Sequence, residues 1–120
     1  MGRTDFETID AAAAALNRGD TGPLLDLCDP EPVLRVTATP DHPAGRAFFG
    51  RQAIRDVWRR AGAGVTVRPV DLLAGGGYLV VVVEVVTGRP EQPTSRRWIV
   101  TAAGEGGLWR EIWLQPADEP

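Results

Sequence analysis

Lysine is missing from the chain altogether, and all 13 basic residues are arginine. That removes Schiff-base chemistry and a lysine general base from the possible mechanisms. Cys28, His42, Ser95, Asn17 and Tyr78 are each the only residue of their type. A structural zinc site takes about four Cys or His ligands, so no metal centre is expected. A single cysteine makes no internal disulfide, and Cys28 reads as a small reduced hydrophobe. A Ser–His–Asp triad would have to use Ser95 and His42, yet Ser95 stands beside Arg96 and Arg97 with no nucleophile-elbow pattern around it. The formal net charge of −3 and the absence of a basic run argue against nucleic acid as a partner. The start, Met1-Gly2-Arg3-Thr4-Asp5-Phe6, has no apolar signal core, and the longest apolar run, 78–83, is far too short to cross a membrane. A cytoplasmic protein without membrane contact is the expectation. The all-Arg, Ala/Gly/Val/Pro-rich usage suggests a GC-rich bacterial genome.

What is present fits one globular domain over residues 1–120, with 43% hydrophobic and 24% charged residues and ends expected to fray at 1–3 and 116–120. Thr4 or Asp5 can cap a first helix that runs through the five alanines 11–15 and stops at Gly19. Alanine lets backbones approach, so this helix should lie close against its neighbour. A short helix is expected over 23–28, with Pro23 in its first turn. Residues 33–39 read as a strand, and 40–46 as a loop dense in turn formers. A third helix over 51–61 carries Ala53, Ile54, Val57, Trp58 and Ala61 on one face. From Gly64 onward the period changes to that of strands, over 65–74, 78–87, 94–103 and 108–114. Their short Gly-rich connections imply an antiparallel meander. Helices early and strands late make the class α+β.

This order resembles the SnoaL-like, nuclear transport factor 2-like superfamily over nearly the whole chain. The residues that carry the resemblance are Asn17-Arg18-Gly19-Asp20 closing the first helix and Gly45…Phe49-Gly50-Arg51-Gln52-Ala53-Ile54…Trp58. The last strand, Gly107-Leu108-Trp109-Arg110-Glu111-Ile112-Trp113, matches too. The resemblance implies a cone, a curved antiparallel sheet wrapped around the N-terminal helices, with a pocket at its open end. It also implies that the outer sheet face forms a homodimer. Both alternating sets of 79–86 are apolar except for Glu84, which independently asks for burial on both faces.

Glu84 interrupts the most hydrophobic strand, where an ionised carboxylate is costly unless paired. It is either an acid–base group of raised pKa or one half of an ion pair with an arginine such as Arg97 or Arg110. Ideal alternation puts Glu111 on one face with Trp109 and Trp113, an arrangement suited to a flat ligand and a proton acceptor, or to a core tryptophan pair. Limonene-epoxide-hydrolase relatives carry Arg-x-Asp on one strand and Trp-x-Asp on the last. Trp109-Arg110-Glu111 is similar to the second, but Val82-Val83-Glu84 lacks the arginine of the first. Asp41-His42-Pro43-Ala44-Gly45 resembles the base-bearing loop of ketosteroid isomerases, out of register; Asp41 and His42 form either a dyad at the pocket mouth or a solvated turn. Trp58, Phe49 and Arg97 complete the candidate substrate contacts, with Trp58 and Trp98 also suited to the core and Arg96 to solvent. The reading is a cofactor-free acid–base isomerase, cyclase or dehydratase acting on a small hydrophobic cyclic molecule. The alternative is a non-catalytic binding or dimerisation domain of the same fold.

Overall fold

The computed structural model describes residues 6–37, 44–61, 64–75, 77–89, 91–104 and 108–117. Helix α1 (Phe6–Asn17) buries Ile9, Ala12, Ala13 and Ala15, the face the alanine run supplies, and packs on strand β3 (Thr66–Gly75). At its end the Asn17 side chain clips the backbone of Val67 in both directions, donating from Nδ2 to the carbonyl at 3.0 Å and accepting its N–H at 2.8 Å. Since β3 is an edge strand, this bond pair covers part of an otherwise open ladder. Helix α2 (Gly22–Asp26) is a single short segment with Pro23 in its first turn. Helix α3 (Arg51–Ala61) buries Ile54 and leans Val57 against the core, with Arg59 and Arg60 exposed.

The six strands form one sheet in the order β2-β1-β6-β5-β4-β3. Strands β3, β4 (Tyr78–Arg89), β5 (Gln92–Ala103) and β6 (Trp109–Pro116) make the expected antiparallel meander. Strand β1 (Cys28–Val36) then adds parallel to β6, and β2 (Arg46–Phe49) pairs antiparallel to β1. A bulge in β3 leaves Val70 without a partner between Pro69↔Val83 and Asp71↔Val82, which bends the strand and exchanges its faces.

Two boundaries differ from the sequence expectation. Residues 28–32 already belong to β1, although Pro30 and Pro32 cannot donate to a ladder. Strand β2 has no counterpart in the sequence expectation, which ends the loop at residue 46, because four residues are too few to show a period. It runs straight into α3 through Gly50 at φ 91°, a conformation natural to glycine. Gly50 N–H donates to the Pro32 carbonyl at 2.8 Å, and Arg51 Nη2 donates to the Cys28 carbonyl at 2.7 Å, so the β2–α3 junction holds the irregular start of β1. The Thr4 or Asp5 cap falls outside the described residues. No helix among the described residues is long and apolar enough to cross a membrane.

Candidate functional site at the open end of the cone

The face of the sheet toward the helices is apolar except at one end. Register places Leu79, Val81, Val83 and Val85 of β4 on it, opposite Ala102, Val100 and Trp98 of β5, then Ile112 and Leu114 of β6, Leu34 and Val36 of β1, and Phe48 of β2. Burial is graded along this face. At one end Leu34, Leu79, Ala102 and Ile112 are buried; at the other Val36, Val85, Trp98 and Leu114 are only half-buried. The inner face is thus closed at one end and opens at the other, as a cone does. Two arginines stand at that opening on the same face. The Arg46 guanidinium lies 5.2 Å from the Phe48 ring centroid, and that of Arg96 lies 5.6 Å from the Trp98 ring. Among the described residues no polar or charged residue is buried.

Among the described residues, Glu84 and Glu111 do not converge on this opening. Both sit on the opposite, outer face. Glu84 faces Arg97 across the β4–β5 ladder and accepts a hydrogen bond from Arg68 Nη2 at 3.0 Å. The Arg68 hydrogen bond, then one from Ser95, hold its carboxyl below the usual carboxylate range, with the charge of Arg97 adding to them. A carboxylate kept ionised in this way accepts protons poorly and is a weak general acid at neutral pH. It lines a groove of about 320 Å³ between α1 and the β3–β4 edge, with Asp10, Ala13 and Arg68. Glu111 pairs with Arg35, Oε1 to Nε at 3.5 Å, and the same guanidinium lies 5.4 Å from the Trp113 ring.

The expectation that Trp109, Glu111 and Trp113 share one face is corrected. Trp109 is buried in the core, while Glu111 and Trp113 are on the outer face. Trp109 stands opposite the buried Cys28, before the irregularity at which five residues of β1 advance against two of β6. The other candidates scatter. Phe49 is on the outer face and 67% exposed, and Phe48 takes the inner place. Arg97 points outward beside Glu84, while Arg96 shares the inner face with Trp98, the reverse of the expected pair. Trp58 lies on α3, its indole N–H donating to the Leu16 carbonyl at 3.0 Å. Asp41 and His42 lie outside the described residues. Sequence reasoning missed Arg46 and Arg96 as the inward cations, and the signal available was parity with Phe48 and Trp98.

Cys28 is fully buried, its thiol donating toward the Leu24 carbonyl at 3.5 Å. Burial pushes its pKa up from 9.0 to about 11, against a lowering by Arg51. The folded chain therefore keeps this proton after the unfolded chain has lost it. The stabilisation is whole below pH 9 and is lost as pH rises toward 11. In urea titrations the wild type should lose stability over that window relative to Cys28→Ala. A difference between the two that does not change with pH would refute the burial argument.

A family model described as a SnoaL-like domain matches residues 9–112. The chain belongs to the SnoaL-like family. The sheet order and the graded inner face are its α+β cone. No curated protein matches the chain. Among solved structures it is similar to wild-type IdmH, a putative polyketide cyclase from Streptomyces antibioticus, at 19% identity and a TM-score of 0.72 over 92% of this chain and 90% of that one. It is equally similar to TerC co-crystallised with polyporic acid, at 14% identity and 0.72 over 90% and 87%. A de novo designed protein with a curved β-sheet matches at 18% identity and 0.67 over 92% and 82%. At these identities the likeness is one of fold, and a fold shared with a designed protein does not fix an activity.

Proposed function

We propose that this SnoaL-like domain is a non-catalytic homodimeric binding module that takes a small hydrophobic molecule, without a cofactor, in the open end of its cone. The observation that carries the reading is the placement of Glu84 and Glu111. Both are on the outer face and both are matched to arginines, Arg68 and Arg35, so the inner face offers a ligand apolar surface and two rim cations. An acid–base enzyme needs two ionisable groups within reach of one point in its cavity. A hydrophobic ligand needs only shape and area, at roughly 25 cal/mol per Å² of apolar surface removed from water.

The dimer half of the proposal rests on the outer face. Leu73, Tyr78, Val80, Val82, Ile99 and Trp113 lie on it, and Leu73 and Tyr78 are 71% and 62% exposed. Six strands about 4.8 Å apart, with roughly eight residues each, offer on the order of 700 Å². A standard interface buries about 800 Å² per partner, so a second copy is an occupant of the right size. The ion pairs Arg35–Glu111 and Arg68–Glu84 leave few bare charges there to oppose such a contact.

A second reading follows IdmH, the putative polyketide cyclase. The connection that carries Asp41 and His42 leaves β1 after Val36 and returns before Arg46, both at the open end. In that reading Asp41 and His42 serve as the acid–base pair for cyclising or isomerising a bound ring. One experiment separates the two. A panel of apolar cyclic compounds is screened for thermal stabilisation, and each binder is then followed for turnover. Binding should survive Glu84→Gln/Glu111→Gln and fall at least tenfold in Leu114→Trp, which fills the opening. Turnover that falls 100-fold or more in Glu84→Gln or Glu111→Gln would overturn the non-catalytic reading. Turnover lost only in Asp41→Asn or His42→Gln establishes the second.

A further inference from the structure

A second cleft lies outside the cone, between the end of α1, the turn after it, α3 and Val65. It has a volume of about 390 Å³, and no residue of β4, β5 or β6 lines it. Three arginines, Arg18, Arg55 and Arg59, line it, and no carboxylate is among its described lining residues. In a chain of net charge −3 this is a local concentration of positive charge.

Two acids lie nearby, and neither lines the cleft. Asp20 accepts the Gly22 N–H at 2.9 Å. Asp56 accepts from Gln52 at 2.9 Å and reaches Arg59 only at 3.7 Å, with that arginine 71% exposed. Arg55 donates to the neutral Gln52 Oε1 at 2.9 Å, so its charge is not cancelled. Arg18 makes no side-chain hydrogen bond or ion pair among the described residues.

The wall of the cleft is aromatic and fixed. Arg55, Trp58 and Arg59 are three and four residues apart on α3, which puts them on one side of that helix. The Trp58 indole is held by its bond to the Leu16 carbonyl, and Leu16 and Val65 supply apolar surface beside it. Gly19 forms part of the lining at φ 84°, and a Cβ there would meet nothing within 4 Å. A flat ring against the indole with an anionic head among planar guanidiniums satisfies both halves of this surface. The volume, near the low end of ligand pockets at roughly 300–1,000 Å³, suits a molecule of one or two rings.

We infer that the cleft bounded by Arg18, Arg55, Arg59 and Trp58 binds a small aromatic carboxylate, independently of whatever occupies the cone. The test uses the whole chain and calorimetric titration with 2-naphthoate, against 2-naphthalenemethanol as the neutral isostere. Naphthoate should bind at least tenfold more tightly than the alcohol and weaken as salt rises. Arg18→Gln/Arg59→Gln, both on the surface and checked for folding by circular dichroism, should lose at least tenfold. Leu114→Trp, in the cone, should bind naphthoate like the wild type. Equal affinity for the two isosteres would overturn the inference without reliance on any variant. So would binding that is lost in Leu114→Trp and kept in the double arginine variant, which assigns the carboxylate to the cone.

Discussion

Trp109→Ala is expected to cost about 3–5 kcal/mol of unfolding free energy, the range for removing a buried aromatic side chain. Trp113→Ala should cost about 1 kcal/mol or less, the scale of an exposed cation–π contact. The two residues are four apart on one strand and, by ideal alternation, would be equivalent. In the fold Trp109 is 6% exposed, packed into the core with Leu25, Leu27 and Cys28 nearby, and its backbone N–H donates to the Leu27 carbonyl. Trp113 is 41% exposed and touches the Arg35 guanidinium. The comparison is cleanest on a Val82→Glu background, where self-association through the sheet face does not enter. Urea titrations giving the two variants equal losses would restore the one-face arrangement and undo the assignment of Glu111 to the outer face.

Much of the fold was legible because it rests on local periodicity. The helix stripe of α3 and the alternation in 78–86 each report on their own segment, and both elements formed where expected. The candidate site was not legible in the same way. Trp109 is buried opposite the start of β1, a strand more than 70 residues earlier, which carries Pro30 and Pro32 and is held by Gly50 and Arg51. A pairing of that kind leaves no trace in the sequence of β6 itself. Glu84 was a different case: ion pair and acid–base group were both compatible with an acidic residue in an apolar strand. Arg68 settles its partner, and Arg68 reaches it only because the β3 register sets the two opposite each other ahead of the bulge at Val70. The pair Arg96 and Arg97 shows the same dependence, since adjacent residues point to opposite faces and only the pairing of Arg97 with Glu84 fixes which is which.

Val82→Glu should turn the proposed dimer into a monomer. Val82 lies on the outer face one strand in from the β3 edge, with Asp71 on one side and Ile99 on the other in the ladder. A twofold contact through this face would bury the new carboxylate with no arginine assigned to it. Leaving a charge unpaired in an interface costs about 3–5 kcal/mol, and at about 1.4 kcal/mol per tenfold that raises the dissociation constant by 100-fold or more. Sedimentation of the wild type at tens of micromolar should give twice the chain mass and that of Val82→Glu the chain mass, with both equally helical. A monomeric wild type would sink the dimer outright; a variant that stays dimeric would move the interface to another surface. On the proposed dimer face the two carboxylates have a role apart from catalysis. Glu84 and Glu111 neutralise Arg68 and Arg35, and the Arg35 Nε, buried and without a hydrogen bond of its own, has Glu111 as its only counter-charge within 4 Å among the described residues. Glu111→Gln should therefore weaken the dimer, by leaving Arg35 unpaired as a partner closes over it, while leaving ligand affinity in the cone unchanged. An effect confined to ligand affinity would return Glu111 to the binding site.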